Sequence, residues 1–323
     1  MDTYRASVDI HVTIVAPTKT IVLHSDTHKV LSVSLIKKQA HDSDTRNTEI
    51  TETCFLKKTE MMILKLSREM GAGENTTISI LFRGNVSSSF DGIYSSIYVS
   101  KTKEKIKIIS THFGHDYART AFPCFDEPSF KAVFFIKLSF PKKYKALSNA
   151  ATLKQNFIDT NTLSVEFKPT ARMSSYLVAF AIHDFDSISA VTKSGVKVNI
   201  WLPRDNIEQG KFATELSPKV LETFETLFNI PYPLEKLDLI GIPGFKAEGM
   251  EYWGLITFKT TTVLINPKLS LIWEMQRVSH FIVHELAHQV CIALLFSFSL
   301  TLLAFRLCNL FHTDCCHYLP TKH

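Results

Sequence analysis

Residues 284–288 read His-Glu-Leu-Ala-His, two imidazoles and a carboxylate within one short run. At about 100° per helical residue, His284 and His288 stand roughly 40° apart on one face, with Glu285 on their flank. Two imidazoles one turn apart can share a tetrahedral zinc ion. An adjacent carboxylate can then take a proton from a water that the metal acidifies. The same spacing also suits an ordinary solvated helix face, so the element alone leaves both readings open. The helix that must carry it is legible. Glu274 and Arg277 extend the polar arc, while Leu271, Met275, Val278, Ile282 and Leu286 fall opposite, which predicts an amphipathic helix over 271–289.

A second block narrows the choice. Residues 247–258 read Ala-Glu-Gly-Met-Glu-Tyr-Trp-Gly-Leu-Ile-Thr-Phe, and Arg119-Thr-Ala-Phe-Pro-Cys-Phe-Asp-Glu-Pro128 lies upstream. Between and around them stand Asp126-Glu-Pro-Ser-Phe-Lys-Ala132, Ala146-Leu-Ser-Asn149, Met173-Ser-Ser-Tyr-Leu-Val-Ala179 and Tyr232-Pro-Leu-Glu-Lys-Leu-Asp238. With the 284–288 element, and in this order, these blocks resemble the zinc aminopeptidases of peptidase family M1, of the aminopeptidase N and oxytocinase type. The resemblance runs from near the first residue to Gln289.

It implies a reaction and roles. His284 and His288 would be ligands of a single zinc ion and Glu285 the general base. Gly249, Met250 and Glu251 would line the substrate, with Glu251 holding the free α-amine of a peptide. A buried ammonium needs a charged partner, and a carboxylate is one. The partners implied are therefore peptides with free N-termini.

Departures from the family pattern set further expectations. Glu248, Gly249 and Tyr252 replace a Gly, an Ala and an Asn, and a carboxylate at 248 is expected to crowd the groove or add negative charge. Gly114 stands where a second amine-anchoring Glu would be, and His112 near the position that sets side-chain preference. Leu307 occupies the place of the third zinc ligand, and no Glu follows Glu285. Cys308, His312, Cys315, Cys316 and His317 are the remaining candidate donors. The expectation is a zinc site left incomplete and turnover impaired, because catalytic zinc ordinarily has three protein ligands. The alternative is a non-catalytic fragment that binds partners or does nothing.

After Gln289 the polar face disappears, and four of the six cysteines lie beyond residue 290. The stretch 290–311 is the one segment suited to a membrane. Its uncharged run, Val290 to Phe305, is sixteen residues, short of the roughly 20 that span a bilayer, and insertion would need Arg306 to snorkel. No secretory signal or N-terminal anchor is visible, which leaves cytoplasmic and membrane-associated locations both open. Asn75-Thr-Thr and Asn85-Val-Ser match the glycosylation pattern. The net charge of +5 is spread thinly in short basic runs, so nothing points to nucleic acid, and nothing fixes an oligomeric state.

The supporting elements follow. Runs at 8–15, 20–24, 61–66, 77–82, 93–99, 133–140 and 176–182 read as strands. A strand at 196–202, a helix at 218–228 and strands at 237–242 and 249–258 come next. The predicted fold class is α+β and multidomain. An N-terminal all-β domain, saddle- or sandwich-like, covers 1–188. The first part of a thermolysin-like zinc-peptidase domain covers 189–289, and an apolar tail unlike the family covers 290–323.

Overall fold

The computed structural model describes residues 2–26, 28–36 and 48–297, the last seven by backbone alone. Packing divides it into two compact units. One holds the residues up to 95 with 111–133 and 172–177, and the other holds 96–110, 134–171 and 178 onward.

In the first unit the chain forms β1 (Thr3–Thr13), β2 (Thr18–His24), β3 (Lys29–Ile36), β4 (Ile50–Leu56), β5 (Met61–Met70) and β6 (Asn75–Asn85). They make two antiparallel sheets, ordered β1-β6-β3 and β2-β5-β4. Alternation decides which side is buried. Met62, Leu64 and Leu66 of β5 point one way, as do Ile78, Ile80 and Phe82 of β6, and these faces share one core with Ile21 and Leu23. His28 lies in this core, edge-on to Phe82 at 5.0 Å.

Next along the chain come β7 (Gly92–Val99), β8 (Lys105–His112), β9 (Lys137–Pro141), β10 (Lys145–Ser148), β11 (Thr152–Phe157), β12 (Thr162–Phe167) and β13 (Phe180–His183). They form sheets ordered β10-β13-β8-β7 and β11-β12-β9. The last sheet joins β14 (Asp186–Val191), β15 (Lys197–Leu202), β16 (Lys236–Ile242), β17 (Gly249–Met250) and β18 (Leu255–Lys259) in the order β14-β15-β16-β18-β17. Its three inner strands are parallel and the two edges antiparallel. α1 (Lys211–Phe228) makes the crossover from β15 to β16, and α2 (Ile272–Ser297) follows the sheet. Every residue of β16 is buried, as a central parallel strand requires. Val278, Ile282 and Leu286 of α2 join Ile200, Leu239, Ile256 and Phe258 in the core of this layer.

The chain is mostly β, with antiparallel sheets first and a mixed sheet with two α-helices after them, as the predicted α+β class requires. Several elements differ from expectation. The segment 249–258 is a hairpin rather than one strand. It turns between Met250 and Leu255, where Gly254 takes φ +79° and a Cβ would strike the Asn149 carbonyl. α1 starts seven residues earlier than predicted and carries Pro218 inside it. Burial of Ala213, Thr214 and Ser217 on the face of Leu221 and Phe224 holds that first part in place despite the missing N–H. The 133–140 strand forms only from Lys137, and 176–182 only from Phe180. Leu271 precedes α2 and is exposed, its N–H capped by the Glu274 carboxylate at 2.7 Å.

α2 runs on past the predicted end at Gln289 to Ser297. Most of the 290–311 stretch lies outside the described residues. Among the described residues no helix is long and apolar enough to cross a membrane.

Two buried imidazoles make stability depend on pH. Burial lowers His28 to about 4, and burial together with the Lys145 charge lowers His183 to about 3. In the unfolded chain both protonate near 6.5. Below that pH the unfolded chain therefore binds more protons than the fold, and stability falls by up to about 1.4 kcal/mol per pH unit for each histidine. Imidazole resonances followed by NMR should show neither ring titrating between pH 7.5 and pH 5, and a midpoint near 6.5 for either would contradict its neutral, buried state.

Candidate active site

α2 brings His284 and His288 together on the face predicted for them. Their Nε2 atoms are 3.1 Å apart, with ring centroids at 4.7 Å and planes at 81°. Two nitrogens bound to one tetrahedral zinc would stand about 3.3 Å apart. The pair therefore fits such an ion in both donor chemistry and spacing. Among the described residues no cluster of three His, Cys, Asp or Glu is placed to hold a metal, so they supply two of the usual three donors. Leu307 and the candidate donors Cys308, His312, Cys315, Cys316 and His317 lie outside the described residues. His280, one turn before His284, stacks on it at 6.4 Å. The same i, i+4 spacing could have found this ring in the sequence.

Glu285 lies beside the pair and is 4% exposed. Burial raises its carboxyl to about 8, the nearby Glu251 charge adds to this, and His288 opposes it. Its Oε2 has no hydrogen-bond partner among the described residues. The carboxylate rests against Gly249, where an added Cβ would fall 2.6 Å from the Glu285 Cδ. A glycine at 249 leaves that space open to the carboxylate.

Gly249 and Met250 form β17, the edge of the sheet, paired with Phe258 and Thr257. Glu251 follows at the start of the turn and is partly buried. All six predicted site residues thus lie on α2 or on the hairpin facing it. Glu248 behaves differently from expectation. Its carboxylate pairs with Arg277 at 2.9 Å and faces Lys259 at 3.6 Å, so its negative charge is locally offset. His112 belongs to the first unit, where it stands 3.8 Å from Asp91.

The turn is held by residues for which no role was expected. The Gln289 side-chain N–H group donates to the carbonyls of Glu251 (2.9 Å) and Tyr252 (3.2 Å), and its oxygen accepts from the Gly254 N–H (2.9 Å). Asn149 donates to the Trp253 carbonyl at 2.9 Å. Lys236 donates to the Gly254 carbonyl at 2.7 Å and to that of Ser148 at 2.6 Å, and it pairs with Asp238 at 2.7 Å. Asn149, Lys236 and Asp238 fall within the blocks 146–149 and 232–238 that carry the resemblance. Their place within those blocks was the available signal.

Sequence comparison agrees with this geometry. The Peptidase M1 N-terminal domain matches residues 1–177, and the Peptidase family M1 domain matches 212–291. Endoplasmic reticulum aminopeptidase 1 of Homo sapiens is 37% identical over 89% of the chain. Glutamyl aminopeptidase of Homo sapiens is 33% identical over 89%, and aminopeptidase M1-A of Oryza sativa subsp. japonica is 36% identical over 88%. The chain spans 30%, 30% and 32% of these relatives' lengths. Imidazole pair, buried carboxylate and facing hairpin stand within a match that covers most of its residues, and the chain belongs to peptidase family M1.

Proposed function

We propose that the hairpin and α2 of this chain form the part of a zinc aminopeptidase site that receives a peptide's free N-terminus. The carrying observation is the contact of Glu285 with Gly249, which sets a buried carboxylate between an imidazole pair and the edge strand. The relatives' names, all aminopeptidases, support the same reading.

His284 and His288 would hold the zinc, which when bound supplies Lewis acidity toward a carbonyl and toward water. The remaining work falls to this chain's own groups. β17 offers a sheet edge along which an extended peptide can pair through its backbone. Glu251, at the end of that edge, would take the α-ammonium and so fix the register at the first peptide bond. Glu285 would accept a proton from the attacking water and return it to the leaving amine. Its closeness to the backbone of β17 puts that proton transfer next to the peptide rather than in bulk solvent.

The donor count favours a second reading, in which the same surface binds peptide N-termini without hydrolysing them. A fluorogenic aminoacyl amide separates the two, since only the first predicts its hydrolysis.

Titrating the metal-free chain with zinc should give one ion per chain, and His284→Ala or His288→Ala should weaken it by at least about 100-fold. Unchanged affinity in both variants would remove the metal assignment. Glu285→Gln should keep the zinc and lower hydrolysis by about 10²–10⁴-fold. Equal rates would show that Glu285 is not the base. Gly249→Val, larger than the alanine of the family pattern, should displace the Glu285 carboxylate and cost on the order of 10²-fold in rate with zinc content intact. An unaltered rate would mean that the observed contact does not set the position of the base.

A further inference from the structure

Gln289 follows the second imidazole of α2 directly and is fully buried. Its amide is committed to the turn that begins with Glu251. The nitrogen donates to the Glu251 and Tyr252 carbonyls, while the oxygen accepts from the Gly254 N–H and, at 3.4 Å, from the Tyr232 hydroxyl. Few side chains could do this. A glutamate of the same shape lacks the donors, and a methionine of similar length lacks both functions. One side chain therefore ties the backbone of Glu251 to the helix position next to His288.

We propose that Gln289 is a positioning residue for Glu251, setting where the amine-binding carboxylate stands relative to Glu285 and the imidazole pair. The inference rests on the reading of Glu251 as the amine anchor. Two sets of contacts distinguish it from a mere staple between helix and hairpin. The turn is also held by Asn149 and Lys236, at the Trp253 and Gly254 carbonyls, so its attachment to the fold does not depend on Gln289. Neither of these reaches the carbonyl of Glu251, which is the one that Gln289 holds at 2.9 Å. Losing Gln289 therefore frees the residue that carries the anchor more than it frees the rest of the turn.

The test compares binding of a dipeptide amide with its N-acetylated form to the full, zinc-loaded chain by calorimetry. Gln289→Glu keeps shape and acceptor but loses both donors. The free-amine probe should then bind at least about tenfold more weakly, with the acetylated probe and the zinc stoichiometry unchanged. Gln289→Met, which introduces no buried charge, should show the same selective loss. Equal weakening of both probes, or failure of both variants to fold by thermal melting, would make Gln289 a structural staple and overturn the proposal. Glu251→Gln separates this inference from its premise. If that variant leaves the free-amine probe unaffected, the anchor reading itself falls. If it weakens the probe while both Gln289 variants bind normally, only the positioning role falls.

Discussion

Residues 251–254 form an irregular turn whose middle is buried, with Tyr252 at 0% and Trp253 at 3% exposure. Buried backbone N–H and C=O groups outside helix and sheet must find partners or cost stability comparable to a lost hydrogen bond. This requirement organises the second unit. The partners come from three separate places: Gln289 on α2, Asn149 just after β10 and Lys236 at the start of β16. Satisfying one turn therefore fixes a helix, a strand and a loop around it. The hairpin's edge and the imidazole pair inherit their mutual placement from that polar lattice.

The lattice also explains a buried lysine. Lys236 is 9% exposed, and burial lowers its pKa while Asp238 opposes the shift. Such an ammonium is tolerated only when paired and hydrogen-bonded. It has both, in Asp238 and two backbone carbonyls, and Asp238 is satisfied in turn by Asn199 and the Trp201 indole. Glu285 stands in contrast, for one of its oxygens is buried without a partner. That open carboxylate oxygen lies beside the imidazole pair, where a buried acceptor without a partner among the described residues suits a proton-accepting role.

Legibility in the sequence followed the strength of burial patterning. β5 and β6 alternate between core and surface, and β16 is apolar through most of its length, so all three could be read. β11 is exposed at every position and β4 at most, leaving no alternation from which to infer a strand. α1 begins seven residues ahead of the predicted 218–228, because burial of Ala213, Thr214 and Ser217 carries the helix back to Lys211. The imidazoles and Glu285 were legible because their chemistry depends on side-chain type at fixed spacing. The Gln289 clamp was not, since a buried glutamine and a solvated one look alike until the carbonyls it serves are in place.

That distinction explains which departures from the family pattern the hairpin can absorb. The clamp holds the carbonyls of residues 251 and 252, and every residue has a carbonyl. Tyr252 can therefore stand in for an asparagine without loosening the Gln289 contact. Glu248 lies outside the turn and brings its own counter-charges in Arg277 and Lys259. Gly254 has no such freedom, since its φ of +79° and its nearness to the Asn149 carbonyl leave no room for a side chain. Gly249 lies between these cases. Nothing in its backbone conformation requires a glycine, but the Glu285 carboxylate occupies the space that a Cβ would fill. The alanine of the family pattern needs only a small shift of that carboxylate's free end, whereas a larger side chain would move the proposed base without breaking the turn.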